Sequence, residues 1–488
     1  MNTYDLHWTS RNAYISSFDV RSRCLSRRPD LDEILIRKLK EICGEANVLT
    51  RKDQIVDYLK DEAADSARPL PHEDIVVAKP AKTNEVSEIL ALASELRSHV
   101  FLRGGGTGLV GGAVPSRSGI VVCLERMKKI EIDRENLMAT AEAGATLEEF
   151  RKQVQEAGLQ FPLHPGDESA QIGGLAATNA GGANAIRYGV MRNYIKGIEA
   201  VLASGEVLIL GGKLQKNNVA YDLIDLIIGS EGTLAVITKV IIRLTSKFGE
   251  TAVLIAPYST RIQAMSTVPD ILLDGRLPLA IEFAERQLME KTAKTIGEDW
   301  PVKEGNCCLL ITVEERTREQ LLSESARIAE ICQKQQCLNV LFAEPIDLQN
   351  RVTKVRSHIY SALKLDTADI LDVTVPPSKI SQLLDLADRI AAEYDIYLPM
   401  YGHVGDGNLH IHIMKQNNDA GRISKIRNQL YCAATKLGGV ITGEHGIGRS
   451  RVDSVPQFLD ATQLRLLKGI KKVFDPDGIL NPDVKLPH

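Results

Sequence analysis

The sequence predicts an α+β protein, and three observations carry that prediction. A helical pattern over residues 83–99 runs into a short strand at Val100–Leu102, three glycine-rich loops punctuate the N-terminal half, and residues 370–401 read as a β-α-β unit of ferredoxin-like type. A fourth feature bears on function. Residues 401–414 read YGHVGDGNLHIHIM, and thirty-four positions after His410 the chain reads GEHG.

Taken in order, the first helix places Val86, Ile89, Leu90, Ala93 and Leu96 on one face, the stripe a surface helix buries. The strand after it ends in Arg103 and the run GGGTGLVGG. Glycines let backbone N–H groups approach an anion closely, with Arg103 and Thr107 as supplementary donors. Gly106, Gly108 and Gly111 satisfy the spacing of a dinucleotide-binding turn, but that turn should open a helix. Here Pro115, Ser116, Ser118 and Gly119 are followed by the strand-like Ile120–Leu124, which counts against a Rossmann unit. Two more glycine-rich segments, His164–Gly189 and Gly229–Val240, follow; the second ends in a β-branched run. Three such loops imply one long, phosphate-bearing ligand laid along backbone; the plainer reading is tight turns in an α+β domain.

Farther along, Ile370–Val375 reads as a strand and Pro376, Pro377 and Ser378 as a helix entry. Leu383, Leu384, Ala387, Ile390 and Ala391 form a buried helical face, and a strand is expected to return over Ile396–Tyr401. Gly405, Asp406, Gly407 and Asn408 then reverse the chain, so that His403 and His410 are expected to face each other across a hairpin. Strict alternation in LHIHI puts His410 and His412 on one face. Two imidazoles and the Glu444 carboxylate suit zinc or a neighbouring transition metal and leave a coordination position open, although such a pattern can also be the polar face of a hairpin.

Composition sets bounds. At 488 residues the chain has room for roughly three domains. Its 59 basic and 63 acidic side chains are intermixed, for a net charge of -4, so no broad basic field favours nucleic acid. The 8 cysteines, Cys307-Cys308 and the Cys332/Cys337 pair among them, show no disulfide or iron–sulfur framework, which points to reduced thiols and a cytoplasmic chain. No apolar run reaches the ~20 residues of a membrane helix. Residues 1–28 carry five arginines against two aspartates, read as a polar extension, with a mitochondrial transit peptide as the lesser alternative.

The segments RGGGTGLVGGA, HPGD, IGGLAATNAGG, RYG, GSEGTLAVIT, YGHVGDGNLH, GEHGIG and FDPDGILNP, in this order from about Asp74 to Pro487, resemble the FAD-linked D-2-hydroxy-acid dehydrogenases of vanillyl-alcohol oxidase type. That family includes D-lactate dehydrogenase, the glycolate oxidase catalytic subunit and D-2-hydroxyglutarate dehydrogenase. The resemblance implies a two-subdomain FAD-binding domain with a ferredoxin-like α+β substrate cap. The expected division is 1–70 as lead-in, 71–246 as FAD domain, 247–436 as cap, and 437–488 returning to the FAD domain. Arg103, Gly104, Gly105, Gly106, Thr107, Gly108 and Leu109 match the pyrophosphate loop. Pro165, Gly166, Gly173, Gly174, Asn179, Gly182, Arg187 and Tyr188 match contacts along the flavin, and Glu231, Gly232 and Ile237 lie toward the adenine. Asn481 is expected at the flavin and substrate. Because the first loop holds no histidine, FAD is expected to bind noncovalently.

The same resemblance assigns the metal to His403, His410 and Glu444, with zinc first and manganese or iron as alternatives. It makes His445 the catalytic base and Arg356 the substrate-carboxylate partner. In dicarboxylate-using relatives a lysine stands where Ile370 is, and an asparagine where His412 is. These departures favour a small acid such as D-lactate or glycolate over D-2-hydroxyglutarate, with His412 as a substrate contact or as a donor behind the site. Electrons are expected to leave to a partner protein or quinone, and a homodimer is allowed. A catalytically silent FAD-binding module is the rival of another class.

Overall fold

The computed structural model describes residues 29–247, 249–275, 277–415 and 419–487, so the arginine-rich stretch 1–28 lies outside the described residues. Three principal sheets organise the chain. The first has four strands in the order Val48–Leu49, Ile75–Ala78, Gly119–Cys123, His99–Arg103, the last three parallel. The parallel strands read IVVA and GIVVC and are buried throughout, the continuous apolar run expected of a strand covered on both faces. The helix Thr83–Leu96 covers one face with Val86, Ile89, Leu90 and Ala93, as its periodicity requires, and ends at the left-handed Arg97. Between Arg103 and Gly119 the chain makes turns and bends without a helix, which removes the Rossmann reading.

The second sheet is antiparallel, in the order Ile130–Asp133, Met138–Glu142, Val236–Arg243, Ile195–Val201, Val207–Gly211. Its inner face packs against the helices Leu147–Glu156 and Ile172–Thr178 around Phe150, Ile172, Ile198 and Val240. Thr146 starts the first of these helices with a capping box closed by Glu149, satisfying two orphan amide groups.

The third sheet has seven strands, ordered Leu341–Ala343, Glu250–Tyr258, Cys307–Glu315, Ala280–Glu285, Met400–His403, Asn408–Met414, Thr367–Thr374. Helix Ile380–Glu393 buries Leu383, Leu384, Ala387 and Ile390 on it, while Ala391 stays half-buried at the edge. Three expectations change here. The returning strand is Met400–His403 rather than 396–401, because Pro399 has no N–H for the ladder and only its carbonyl is used, by His412. The β-α-β unit is split: Asn408–Met414 inserts between Thr367–Thr374 and Met400–His403 and pairs antiparallel with both. Finally, His403 stands opposite Asn408, and His410 opposite Tyr401, so the two histidines meet diagonally on one face with ring centroids 5.5 Å apart. The turn's Gly407 has φ +90°, and a Cβ there would fall 1.9 Å from Val375 O, so only glycine lets the hairpin fold back.

The C-terminal stretch touches both halves. Thr442 and Val440 bridge to Asp372 and Thr374 of the third sheet. Farther on, Leu480 bridges to Val100 and the Asn481 N–H donates to Val100 O in the first.

Candidate active site

The hairpin histidines and the 442–446 loop meet at one point. Glu444 Oε1 lies 3.5 Å from His403 Nε2, 3.5 Å from His410 Nε2 and 3.8 Å from His445 Nε2. His410 and His445 stack, centroids 5.0 Å apart. All four sequence-predicted residues are therefore together, in a largely buried setting.

Asp372 holds them there. Its fully buried carboxylate takes, on Oδ2, the Thr442 hydroxyl at 2.9 Å and the N–H groups of Gly443, Glu444 and His445 at 2.9, 2.8 and 2.8 Å; Oδ1 accepts from Asn408 Nδ2 at 2.7 Å. Burial works against its charge, but His445, His410 and these donors outweigh burial and hold its pKa far below the usual carboxylate range. Asp372 also lies within ligand spacing of His410, Glu444 and His445. Four of its five hydrogen bonds, all on Oδ2, go to the 442–445 loop, so that oxygen is committed to shaping the loop, while His403 also presents an Nε2 to the Glu444 oxygen that His410 faces.

The two hairpin histidines differ in charge. Burial, reinforced by His445, pushes the His410 pKa well below its ordinary value, leaving a neutral imidazole with a free lone pair. Burial opposes a proton on His403 too, yet Glu282 and Glu444 outweigh it and hold that pKa well above the ordinary value. A cation entering this site would displace the His403 proton. The buried Nδ1 atoms of His410 and His445 have no hydrogen-bond partner, although Asp372 oxygens stand 3.8 and 3.9 Å away.

Glu282, on strand Ala280–Glu285 in register with His403, accepts from His403 Nδ1 at 2.5 Å, and its other oxygen pairs with Arg356 Nη2 at 2.5 Å. The Arg356 guanidinium lies over the Tyr401 ring, 4.9 Å from its centroid, and its buried Nε has no hydrogen-bond partner. Arg356 thus stands at the same site as the histidines, linked through Glu282. His412 lies one layer back, fully buried: Nδ1 meets Thr367 Oγ1 at 2.8 Å and Nε2 meets Tyr401 OH at 3.2 Å. Burial pushes its pKa down to about 3. With both nitrogens taken, it backs Tyr401.

The glycine loops form the second part of the site. Gly106 has φ +74°, and a Cβ there would lie 2.3 Å from Arg103 Nη2; Arg103 tucks beneath its own loop and donates to Lys60 O at 2.7 Å. The first loop packs against the second, with Gly105 facing Ser169 O and Gly104 facing Gln171 Oε1. The third joins through Gly232, next to Leu102 and Asn481. Asn481 spends its amide on Leu102 N–H at 2.8 Å and Glu231 O at 2.7 Å. Glu231 clasps the N–H groups of Ile447 and Gly448 at 3.0 and 2.7 Å, which ties the loop carrying His445 to the glycine half. Arg187 donates to Glu314 O and Tyr188 OH to Glu314 Oε2, joining the second loop to the third sheet. A seam of this kind fits a long anionic cofactor. Side chains are absent where backbone must approach it, nothing lies within 4 Å of a Cβ built at Gly166 or Gly174, and the buried, unpartnered Gln171 Oε1 offers an acceptor to the N–H or O–H groups of such a cofactor rather than to its phosphates.

Asp372, Glu282, Tyr401 and Gln171 are the functional candidates that sequence reasoning missed. For the two acids the available signal was a carboxylate inside an apolar strand, ILDVT and AIEFAE, where an unpaired charge is too costly to be idle.

The fold is that of the two-subdomain FAD oxidases: p-cresol methylhydroxylase superposes with a TM-score of 0.76 at 18% identity, over 93% of this chain and 97% of that one. Residues 75–211 match the FAD binding domain family, and residues 249–484 the family of FAD linked oxidases, C-terminal domain. D-lactate dehydrogenase of Archaeoglobus fulgidus is 42% identical over 87% of this chain and 94% of its own length. A glycolate oxidase subunit of Bacillus subtilis is 36% identical over 84% and 88%, and D-2-hydroxyglutarate dehydrogenase, mitochondrial, of Arabidopsis thaliana 32% over 94% and 82%. The chain belongs to the FAD-linked oxidase family of oxidoreductases. Among the described residues no helix is long and apolar enough to cross a membrane.

Proposed function

We propose that this protein oxidises a small D-2-hydroxy acid, such as D-lactate or glycolate, to its 2-oxo acid. The observation that carries the reading is the convergence of three imidazole Nε2 atoms on one Glu444 oxygen beside a buried arginine. The names of the relatives point the same way. FAD, held noncovalently along Arg103–Leu109, the Pro165–Tyr188 loop and Glu231–Ile237, supplies the two-electron acceptor that no protein side chain offers. His403, His410 and Glu444 would hold a divalent cation, zinc by donor type with manganese or iron as alternatives, whose contribution is to polarise the substrate hydroxyl.

The remaining steps belong to the chain. Arg356 grips the substrate carboxylate with its forked N–H groups and so fixes which face of the α-carbon, and therefore which enantiomer, turns its hydrogen to the flavin. His445 takes the hydroxyl proton on Nε2 while the C–H electron pair leaves as hydride. Tyr401, braced by His412, walls the carboxylate site. Ile370, buried in the strand, offers no cation to a second carboxylate, which favours a short acid over D-2-hydroxyglutarate. The acceptor that re-oxidises the flavin is a partner protein or quinone, and the compartment the cytoplasm.

Anaerobic mixing with a panel of D- and L-2-hydroxy acids, with and without chelator, tests the reading. Chelator-sensitive bleaching of the flavin by D-lactate or D-glycerate-sized acids is expected. Bleaching by D-2-hydroxyglutarate alone would move the substrate to a dicarboxylate, and a flavin that no acid bleaches would leave only a silent binding module.

A further inference from the structure

We infer that Glu282 is a positioning residue that sets the metal-side histidine and the carboxylate-side arginine at one fixed spacing. The inference rests on the proposed reading of His403, His410 and Glu444 as a cation site. Glu282 sits on the strand next to the hairpin, in register with His403 and 5% exposed, and each of its oxygens serves one half of the substrate site. Oε1 receives the His403 Nδ1 proton at 2.5 Å, which leaves Nε2 directed at Glu444 and, in the neutral ring, free to bind a cation. A carboxylate behind a ligating histidine fixes both the tautomer and the ring's rotation and raises its basicity. Oε2 holds Arg356 Nη2 at 2.5 Å, in the pose that lays the guanidinium over Tyr401.

One rigid two-oxygen group therefore spans the distance between the two sites that a 2-hydroxy acid must reach together, its carboxylate and its hydroxyl. Arg356 has a long, rotatable side chain from the helix Ile346–Ser357, on a different element from the hairpin. Among the described residues Glu282 is the ion-pair partner that registers Arg356 against the histidines, since the other close contact of the guanidinium is the Tyr401 ring face. The pairing also gives the buried guanidinium a carboxylate partner, without which its charge would be costly.

The test uses the FAD-loaded full chain, with zinc ion as the probe competed against a chromogenic chelator, and D-lactate as substrate. Glu282→Gln is expected to retain FAD, to bind zinc roughly 10- to 100-fold more weakly, and to raise KM for D-lactate more than it lowers kcat. Glu282→Asp, which keeps the charge but retracts it, should fall between the two in zinc affinity. A residue with only a packing role would alter thermal stability without this joint change in zinc affinity and KM. Wild-type zinc affinity together with wild-type KM in Glu282→Gln would overturn the proposal. Should that variant lose FAD, the Glu282→Asp result decides by the same two quantities. Failure of the wild-type protein to take up zinc or any divalent ion would instead remove the cation site itself, and with it this role for Glu282.

Discussion

The glycine half and the histidine half recognise their ligands by opposite means. In the first, three loops offer backbone, and the side chains that matter are the ones missing. In the second, recognition is by side chains, and buried carboxylates from other parts of the chain position most of them: Asp372 holds the backbone of Glu444 and His445, and Glu282 holds the His403 and Arg356 side chains. A backbone site tolerates side-chain change wherever there is room for it. A buried charge network does not, because each partner lost leaves another charge unpaired.

Breaking the contrast at its strongest point gives the largest effect. His445→Ala should keep FAD yet slow anaerobic flavin reduction by D-lactate about 10²- to 10⁴-fold; unaltered reduction would remove His445 as the base. Asp372→Asn keeps the shape but removes the negative charge from the hydrogen bonds beneath the loop. It should cost about 3 kcal/mol of stability, read as a fall in thermal midpoint, and should release divalent metal while FAD stays bound.

A buried carboxylate of the glycine half, Asp61, sharpens the comparison through pH. Asp61 is buried beside Gly108, Oδ2 without a partner, and burial raises its pKa to about 6 from 3.8, against the N–H groups of Ala63 and Gly111 and the charge of Arg68. Its folded pKa lies above the unfolded one, so the native state binds the proton more tightly. Stability from this group is full below pH about 4 and is lost as pH rises through about 6, a difference of about 3 kcal/mol. Asp61→Asn should therefore raise the thermal midpoint at pH 8 more than at pH 4.5; an equal shift at both would show that Asp61 is not the titrating group. The smallest effect belongs to Gly106→Ala. The left-handed φ costs about 1–2 kcal/mol, and the added methyl displaces only the flexible Arg103 tip, so FAD should be retained less tightly with substrate KM unchanged, as measured by flavin release on dilution.

Much of the glycine half was legible. Glycine spacing, the helix expected over 83–99, which forms as Thr83–Leu96, and the failure of a helix to follow the first loop are local properties, encoded within a few residues of where they act. The histidine hairpin was half legible: alternation put His410 and His412 on one face, but not their depth, and the register that sets His403 opposite Asn408 depends on a two-sided pairing within a seven-stranded sheet. His412 illustrates the limit. Its place in LHIHI, on the same face as His410, suits either a substrate contact or a donor behind the site, and only burial and its bonds to Thr367 and Tyr401 show that it braces another side chain.

By itself the sequence determined which residues could bear charge, ligate or yield backbone, because residue type and short-range periodicity fix those capacities. Tertiary structure decided which of them act. His403 meets Glu282 across 121 positions and Glu444 meets Asp372 across 72. Nothing near a histidine says which distant acid it will meet; the acid becomes a partner only when burial removes the water that would otherwise serve both charges.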